Sequence, residues 1–368
     1  MRTELAGLEL FRQRPLWWVP HLHTSVTTDQ WDSFKRALAG EVLEAVPVGL
    51  IVDSPWIPGF LGLSTLDYLT VPEVWLEANL AVHRRFSNVL FLPGFWVELG
   101  MTAEPSGFGG RISWYPDKTP VIHPLPASLD DLLQQPPPDP RTDGLMPIVL
   151  NCYRRMEPRV RDAGHRIRMV AARGPLTVAT HLRGVTEFLL DLKLRPAETH
   201  RLLNLTTTLV RTWLQAQAEL LPDVEAILVL DDIAGFLSPK DYREFAHPHL
   251  KTVFDAFPGA LKLFHNDTHN PTIYPQLPDL GIQLFNFTHL EPIEHVRHLV
   301  GPDLCLLGNV PPLEVLAAGD SATVLDAARA CIKAHPNRRG FILSVGGGTS
   351  PGTPAGNIDA LVQATLTP

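Results

Sequence analysis

The apolar run Leu263-Phe264 ends in His265-Asn266-Asp267-Thr268-His269. Side chains two residues apart in a strand share a face. His265 and Asp267 would therefore project together from a strand end, where they could ligate a metal or act as a catalytic acid/base pair. The plainer alternative is a hydrogen-bonded pair that stabilises the strand end. A second run, Phe341–Val345, ends in Gly346-Gly347-Gly348. These glycines either make a simple turn or let backbone approach a substrate closely. Asp231-Asp232 follow the apolar run Ala226–Leu230. Strand neighbours face opposite ways, so only one of them faces a given side; aspartates also cap free backbone N–H groups. Asp232 joins His265 and Asp267 as a catalytic candidate. Asp231, Asn309, His289, Gly346, Gly347 and Gly348 are substrate-binding candidates. His269 and His289 also read as rim or structural residues.

The elements that would position these groups are legible as apolar runs. They lie at Val46–Asp53, Asn88–Pro93, Ile167–Ala172, Ala226–Asp232, Leu261–Asp267, Ile282–Thr288, Leu304–Val310 and Phe341–Gly346. Most lack polar alternation, as strands buried on both faces do. Helical patterns separate many of them. Ala197–Leu221 carries Leu202, Leu205, Leu209, Trp213, Ala216 and Leu220 along one stripe. Ser238-Pro239 opens another helix as N-cap and first-turn proline, with Tyr242, Phe245, Leu250 and Phe254 inward and a kink expected at Pro248. Eight strands with helical crossovers predict an α/β fold, a single (β/α)8 TIM barrel over residues 31–368 behind an N-terminal extension, residues 1–30. Gln135–Asp143, crowded with Pro and Asp, reads as a surface loop. Function in such a barrel sits at the carboxyl ends of the strands. Asp53, Asp231, Asp232, His265, Asp267, Asn286, Thr288, His289, Asn309 and the glycine run all fall there.

Composition narrows the partners. The 368 residues are 45% hydrophobic, ample for a core, and the net charge is −8 with no basic run. That argues against nucleic acid and anionic membranes. Cys152, Cys305 and Cys331 form no CxxC pair and no disulfide framework, which predicts a reduced, cytoplasmic setting and buried small apolar roles. No apolar stretch is long enough to span a bilayer. Trp17, Trp18, Trp56 and Trp96 are either core or the wall of an apolar pocket.

Several segments resemble one family. Gly174-Pro175-Leu176-Thr177-Val178-Ala179-Thr180-His181-Leu182-Arg183-Gly184, Asp231-Asp232 with Leu237-Ser238-Pro239, Phe245-Ala246-His247-Pro248, Leu307-Gly308-Asn309-Val310 and Pro351-Gly352-Thr353-Pro354 with Asn357 are similar to the uroporphyrinogen decarboxylase superfamily, and within it to the corrinoid-dependent methyltransferase branch. The resemblance runs from about Trp31 to the C-terminus. It implies the same barrel, and methyl transfer between a small substrate and a corrinoid carried by a partner protein.

The departures from the family pattern shape the expected site. The methyltransferases of this branch hold zinc with a His-x-Cys pair and a later cysteine. His265 matches the histidine, whereas Asp267 and Gly347 stand where the cysteines would be. The resemblance therefore implies a harder site for zinc or another divalent metal, built from His265, Asp267 and Glu104, with His269 as the alternative to Glu104. The decarboxylase branch fits less well. Phe11-Arg12-Gln13-Arg14 lacks the family's propionate-clamping pattern, Pro93-Gly94 replaces its essential aspartate, and Gly347 replaces its C-terminal histidine. With no large side chain at 347, the mouth should be wider there and lined by N–H groups of Gly346–Thr349, suiting an aromatic methyl ether. The expected activity is a methyltransferase or demethylase. A decarboxylase or carbon–carbon lyase acting on a carboxylated small molecule other than uroporphyrinogen, and a silent ligand-binding member, are the alternatives.

Overall fold

The computed structural model describes residues 28–52, 56–335 and 337–366. Asp53, Trp17 and Trp18 lie outside them. All eight expected runs contain strands: β1 Gly49–Ile51, β2 Leu90–Leu92, β3 Met169–Arg173, β4 Ala226–Leu230, β5 Leu261–Asn266, β6 Leu284–Phe287, β7 Cys305–Val310 and β8 Phe341–Val345. Strands β3 to β8 form one parallel sheet in chain order, and β1 pairs in parallel with β2. A parallel bridge from Val48 to Leu343 joins β1 to β8. The main crossover helices are α1 Thr28–Leu38, which precedes the barrel, then α2 Pro72–Arg85, α3 Met146–Asp162, α4 Pro196–Leu220, α5 His247–Asp255, α6 Ile293–Val300, α7 Ser321–Lys333 and α8 Ala355–Leu366. Between β5 and β6 the connection holds only short 3-10 turns, Pro271–Gln276 and Pro278–Leu280.

The strands are mostly apolar, and their apolar residues alternate between two cores. Ile51, Leu90, Leu92, Met169, Ala171, Leu228, Leu230, Leu263, Leu284, Cys305, Leu307 and Ile342 pack together inside the barrel. Their neighbours, such as Leu50, Phe91, Val170, Val229, Phe264, Phe285 and Leu306, face the helices. Helix α1 closes the floor with Trp31, Phe34, Ala37 and Leu38, one stripe at helical spacing. Where a kink was expected at Pro248, a π turn, Tyr242–Ala246, precedes α5 and Pro248 falls in the first turn of α5. Tyr242, Phe245, Leu250 and Phe254 are buried as expected.

The expected barrel differs from the structure at one seam. Among the described residues β2 and β3 are not paired. Pro93 has no N–H to offer, and Gly94 (φ 73) and Phe95 (φ 45) turn the chain off the strand line. Trp96 and Glu98 fill the seam instead. The Arg173 guanidinium lies 5.1 Å above the Trp96 ring centroid and 3.0 Å from the Glu98 carboxylate. Trp56 is core, its indole N–H donating to the Thr353 carbonyl. Cys152 and Cys305 are buried and Cys331 is half-buried. Burial pushes the first two thiols up to about 12, as inert structural cysteines require. Among the described residues no helix is long and apolar enough to cross a membrane.

Candidate active site at the barrel mouth

Strand alternation decides which polar residues reach the mouth. On β5 the inward series Leu263 continues to His265 and Asp267; on β4 Leu228 and Leu230 continue to Asp232. The His265 and Asp267 pair therefore meets Asp232, and one ligand atom from each lies within 4.8 Å of the others. His265 Nε2 is 3.5 Å from Asp232 Oδ1. Asp267 donates its backbone N–H to the same Asp232 Oδ1 at 3.2 Å, across from the end of β5 to the end of β4. Burial raises the Asp267 pKa; His265 opposes the shift, and the Asp232 charge adds to it.

His265 is 5% exposed and meets Asn286 Oδ1 through Nδ1 at 2.6 Å. Asn286 is level with His265 in the sheet register. It is fully buried and also donates to the backbone carbonyls of Leu307 on β7 and Val345 on β8.

The glycine run borders this cluster. A Cβ on Gly347, whose φ is 132°, would lie 2.6 Å from Asp267 Oδ2. A Cβ on Gly346 would lie 2.2 Å from the His289 backbone nitrogen, so a side chain there is sterically excluded. The space around a Gly348 Cβ is open. His289 is half-buried and its charge helps lower the Asp267 pKa. The expected row of mouth amides is shorter than Gly346–Thr349. Gly346 donates to Val310 O and Thr349 to Ile51 O, both within the barrel wall.

Three expected site residues lie elsewhere. Asp231 is fully buried and accepts from Leu176 N, Thr177 N and Thr177 Oγ1, so it caps the helix Pro175–Arg183. Burial lifts its pKa to about 7 against those hydrogen bonds. Asn309 donates to the carbonyls of Thr288 and Glu291 and so braces the loop after β6. Glu104 is 4% exposed and accepts from the Arg173 N–H at 2.8 Å; it is not part of the metal-sized cluster. His269, the alternative third ligand, meets Glu291 Oε2 at 2.8 Å, and His295 bonds the other Glu291 oxygen. Against burial, these two histidines hold the Glu291 carboxylate low.

Two residues had no role in the sequence-based site. One is Asn286, placed on the rim as a polar strand end in β6 but not assigned to catalysis, substrate or metal. The other is Arg173, which continues the inward series Met169, Ala171 on β3. An arginine ending an apolar strand was its signal. It brings a buried positive charge to the mouth, paired with Glu98 at side-chain exposures of 7% and 4%. It also holds His181 down to about 4, after burial itself.

The chain matches the uroporphyrinogen decarboxylase (URO-D) family model over residues 29–367. It is 24% identical to a methylated-thiol–coenzyme M methyltransferase of Methanosarcina mazei over 268 residues, covering 73% of this chain and 70% of that one. It is 25% identical to the uroporphyrinogen decarboxylase of Coxiella burnetii over 357 residues, covering 90% and 94%. A methyltransferase structure from Methanosarcina mazei superposes with a TM-score of 0.74 at 22% identity, covering 90% of this chain and 96% of that one, and so shares its fold. These relatives are enzymes, and the chain belongs to the uroporphyrinogen decarboxylase family.

Proposed function

We propose that this protein is a methyltransferase that removes a methyl group from a small substrate, such as an aromatic methyl ether, and passes it to a corrinoid carried by a partner protein or to another acceptor. The observation that carries the reading is the grouping of Asp232, His265 and Asp267 at the mouth. The similarity to a methylated-thiol methyltransferase supports it. Removing a methyl group leaves its bonding electron pair on the substrate oxygen or sulfur, which then needs a proton or a positive charge. Without a metal, Asp267, its pKa raised by burial, would supply that proton. Asp232 would hold His265 and the leaving atom's surroundings in register. The donor set of two carboxylates and one imidazole fits a divalent cation harder than a thiolate site selects. Bound by Asp232, His265 and Asp267, such a cation would supply Lewis acidity to the leaving atom. Gly347 and Gly348 add no side chain to the wall beside Asp267, which would suit a flat ring.

The decarboxylase alternative is weaker on charge. A carboxylated substrate calls for a cationic contact, and one with as many carboxylates as uroporphyrinogen for several, whereas the buried arginine Arg173 is paired with Glu98. The deciding experiment is anaerobic. Aryl methyl ethers and methylated thiols are offered with free reduced cobalamin as acceptor, and methylcobalamin is followed by absorbance. Wild type should form it and Asp267→Asn should not. No methyl transfer to any acceptor, together with release of carbon dioxide from a carboxylated substrate, would replace this proposal by the lyase reading. Metal content is measured in parallel on wild type, His265→Ala and Glu104→Gln. The first and third should match, and the second should lose the metal.

A further inference from the structure

We propose that Asn286 is a positioning residue that fixes His265 in the tautomer with its hydrogen on Nδ1, so that the bare Nε2 faces Asp232 and Asp267. The argument starts from the amide. Its Nδ2 lies 2.8 Å from Leu307 O and 3.1 Å from Val345 O, two carbonyls on two different strands. Turning the amide over would set an oxygen against both carbonyls and leave a buried NH2 without those acceptors. The orientation is therefore fixed by the barrel wall, and Oδ1 must point at His265. An amide oxygen only accepts, so the atom facing it at 2.6 Å must donate. That atom is Nδ1, which carries the hydrogen in either charge state of the ring.

The consequence appears on the other side of the imidazole. In the neutral ring Nε2 is then an acceptor, and it faces the Asp232 carboxylate, also an acceptor, at 3.5 Å. Two acceptors so placed call for a cation between them. Asn286 does not reach the mouth, being fully buried; it acts through His265, as outer partners of ligating histidines do. Only this consequence rests on the metal reading proposed above; the tautomer stands independently of it.

The test uses the full-length protein labelled with 15N-histidine, stripped of metal with a chelator, at a pH where imidazoles are neutral. Long-range proton–nitrogen correlation gives each ring's tautomer, and comparison with His265→Gln identifies the His265 signals among those of 15 histidines. Wild type should show hydrogen on Nδ1. Asn286→Asp keeps an acceptor at that place and should retain the tautomer. Asn286→Ala should lose it, and affinity for Zn2+ or Co2+ should fall roughly 10- to 100-fold. Hydrogen on Nε2 in the wild type would overturn the proposal. So would an Asn286→Ala protein that keeps the Nδ1 hydrogen, whatever its metal affinity. Should the alanine variant fail to fold, loss of the Nδ1 hydrogen in Asn286→Asp would count against the proposal and its retention for it. A wild type that shows the expected tautomer but binds neither metal defeats the metal reading and leaves this one standing.

Discussion

Replacing Gly347 by alanine should disable the mouth through Asp267. The added Cβ would lie 2.6 Å from Asp267 Oδ2, so the carboxylate must retreat by roughly 1 Å to reach ordinary contact. The backbone at φ 132° also suits glycine alone, which adds a strain of about 1–3 kcal/mol. The variant should therefore unfold at lower denaturant while keeping its fold. A displacement of that size at a reacting or ligating group commonly reduces activity by about a hundredfold. Gly348→Ala is the matched control, because nothing lies within 4 Å of its Cβ. The assay is divalent-metal titration and methyl transfer on wild type, both glycine variants, Asp267→Asn and the Gly347→Ala/Asp267→Asn double variant. If the effect passes through Asp267, the double variant should be no worse than Asp267→Asn alone in metal affinity. Wild-type affinity and turnover in Gly347→Ala would refute the placement of Asp267 in the site. Equal loss in Gly348→Ala would show that the glycine run acts as a whole and not through this contact.

Acid should destabilise the protein through buried neutral histidines. Burial holds His83 at about 3 and His249 and His335 at about 4, below the free value of 6.5. Their contribution is complete above pH 6.5 and is lost as pH falls, each by up to about 1.4 kcal/mol per pH unit until its folded pKa is reached. Urea midpoints across that range should fall, and less steeply in His249→Gln; a flat profile would contradict the burial. Asp231→Ala should cost about 2–4 kcal/mol by stripping the cap from Leu176 and Thr177. Asp232→Asn should change stability by only about 0.5 kcal/mol and abolish function; the reverse pattern would exchange their roles. Glu98→Ala should cost about 3–5 kcal/mol by leaving Arg173 buried beside Trp96 without that carboxylate, and Glu98→Leu with Arg173→Met should recover most of it. Denaturant midpoints of the single and double variants decide this, and a single-variant loss well under 1 kcal/mol would refute it.

The sequence by itself determined the strands, the long helix and the rim. Eight apolar runs of strand length could be buried on both faces only in a parallel sheet, so their number and spacing already named the architecture. Period-two geometry sufficed to put His265 and Asp267 on one side, because that relation is local to one strand. It also required that Asp231 and Asp232 part company. Helix Pro196–Leu220 and the cap at Ser238 were equally local, carried by one apolar stripe and one side-chain hydrogen bond.

Tertiary structure decided what those local rules leave free. Which aspartate turns inward depends on the phase of β4 against the barrel axis, and that phase comes from packing Leu228 and Leu230 inside. Glu104 was a ligand candidate through the family resemblance and Asn309 a substrate-binding candidate through its strand end; their buried side chains have backbone partners across the fold, at Arg173 and at Thr288 and Glu291. Arg173 faces the mouth by the alternation of β3, but its partners Trp96 and Glu98 come from the segment after β2, far away in sequence. Asn286 shows the same limit most sharply. Its partners His265, Leu307 and Val345 lie on three other strands, and nothing within β6 reveals them. Periodicity specifies the face of a residue, but hydrogen-bond partners far apart in sequence are chosen by register and closure, which exist only once the sheet has formed.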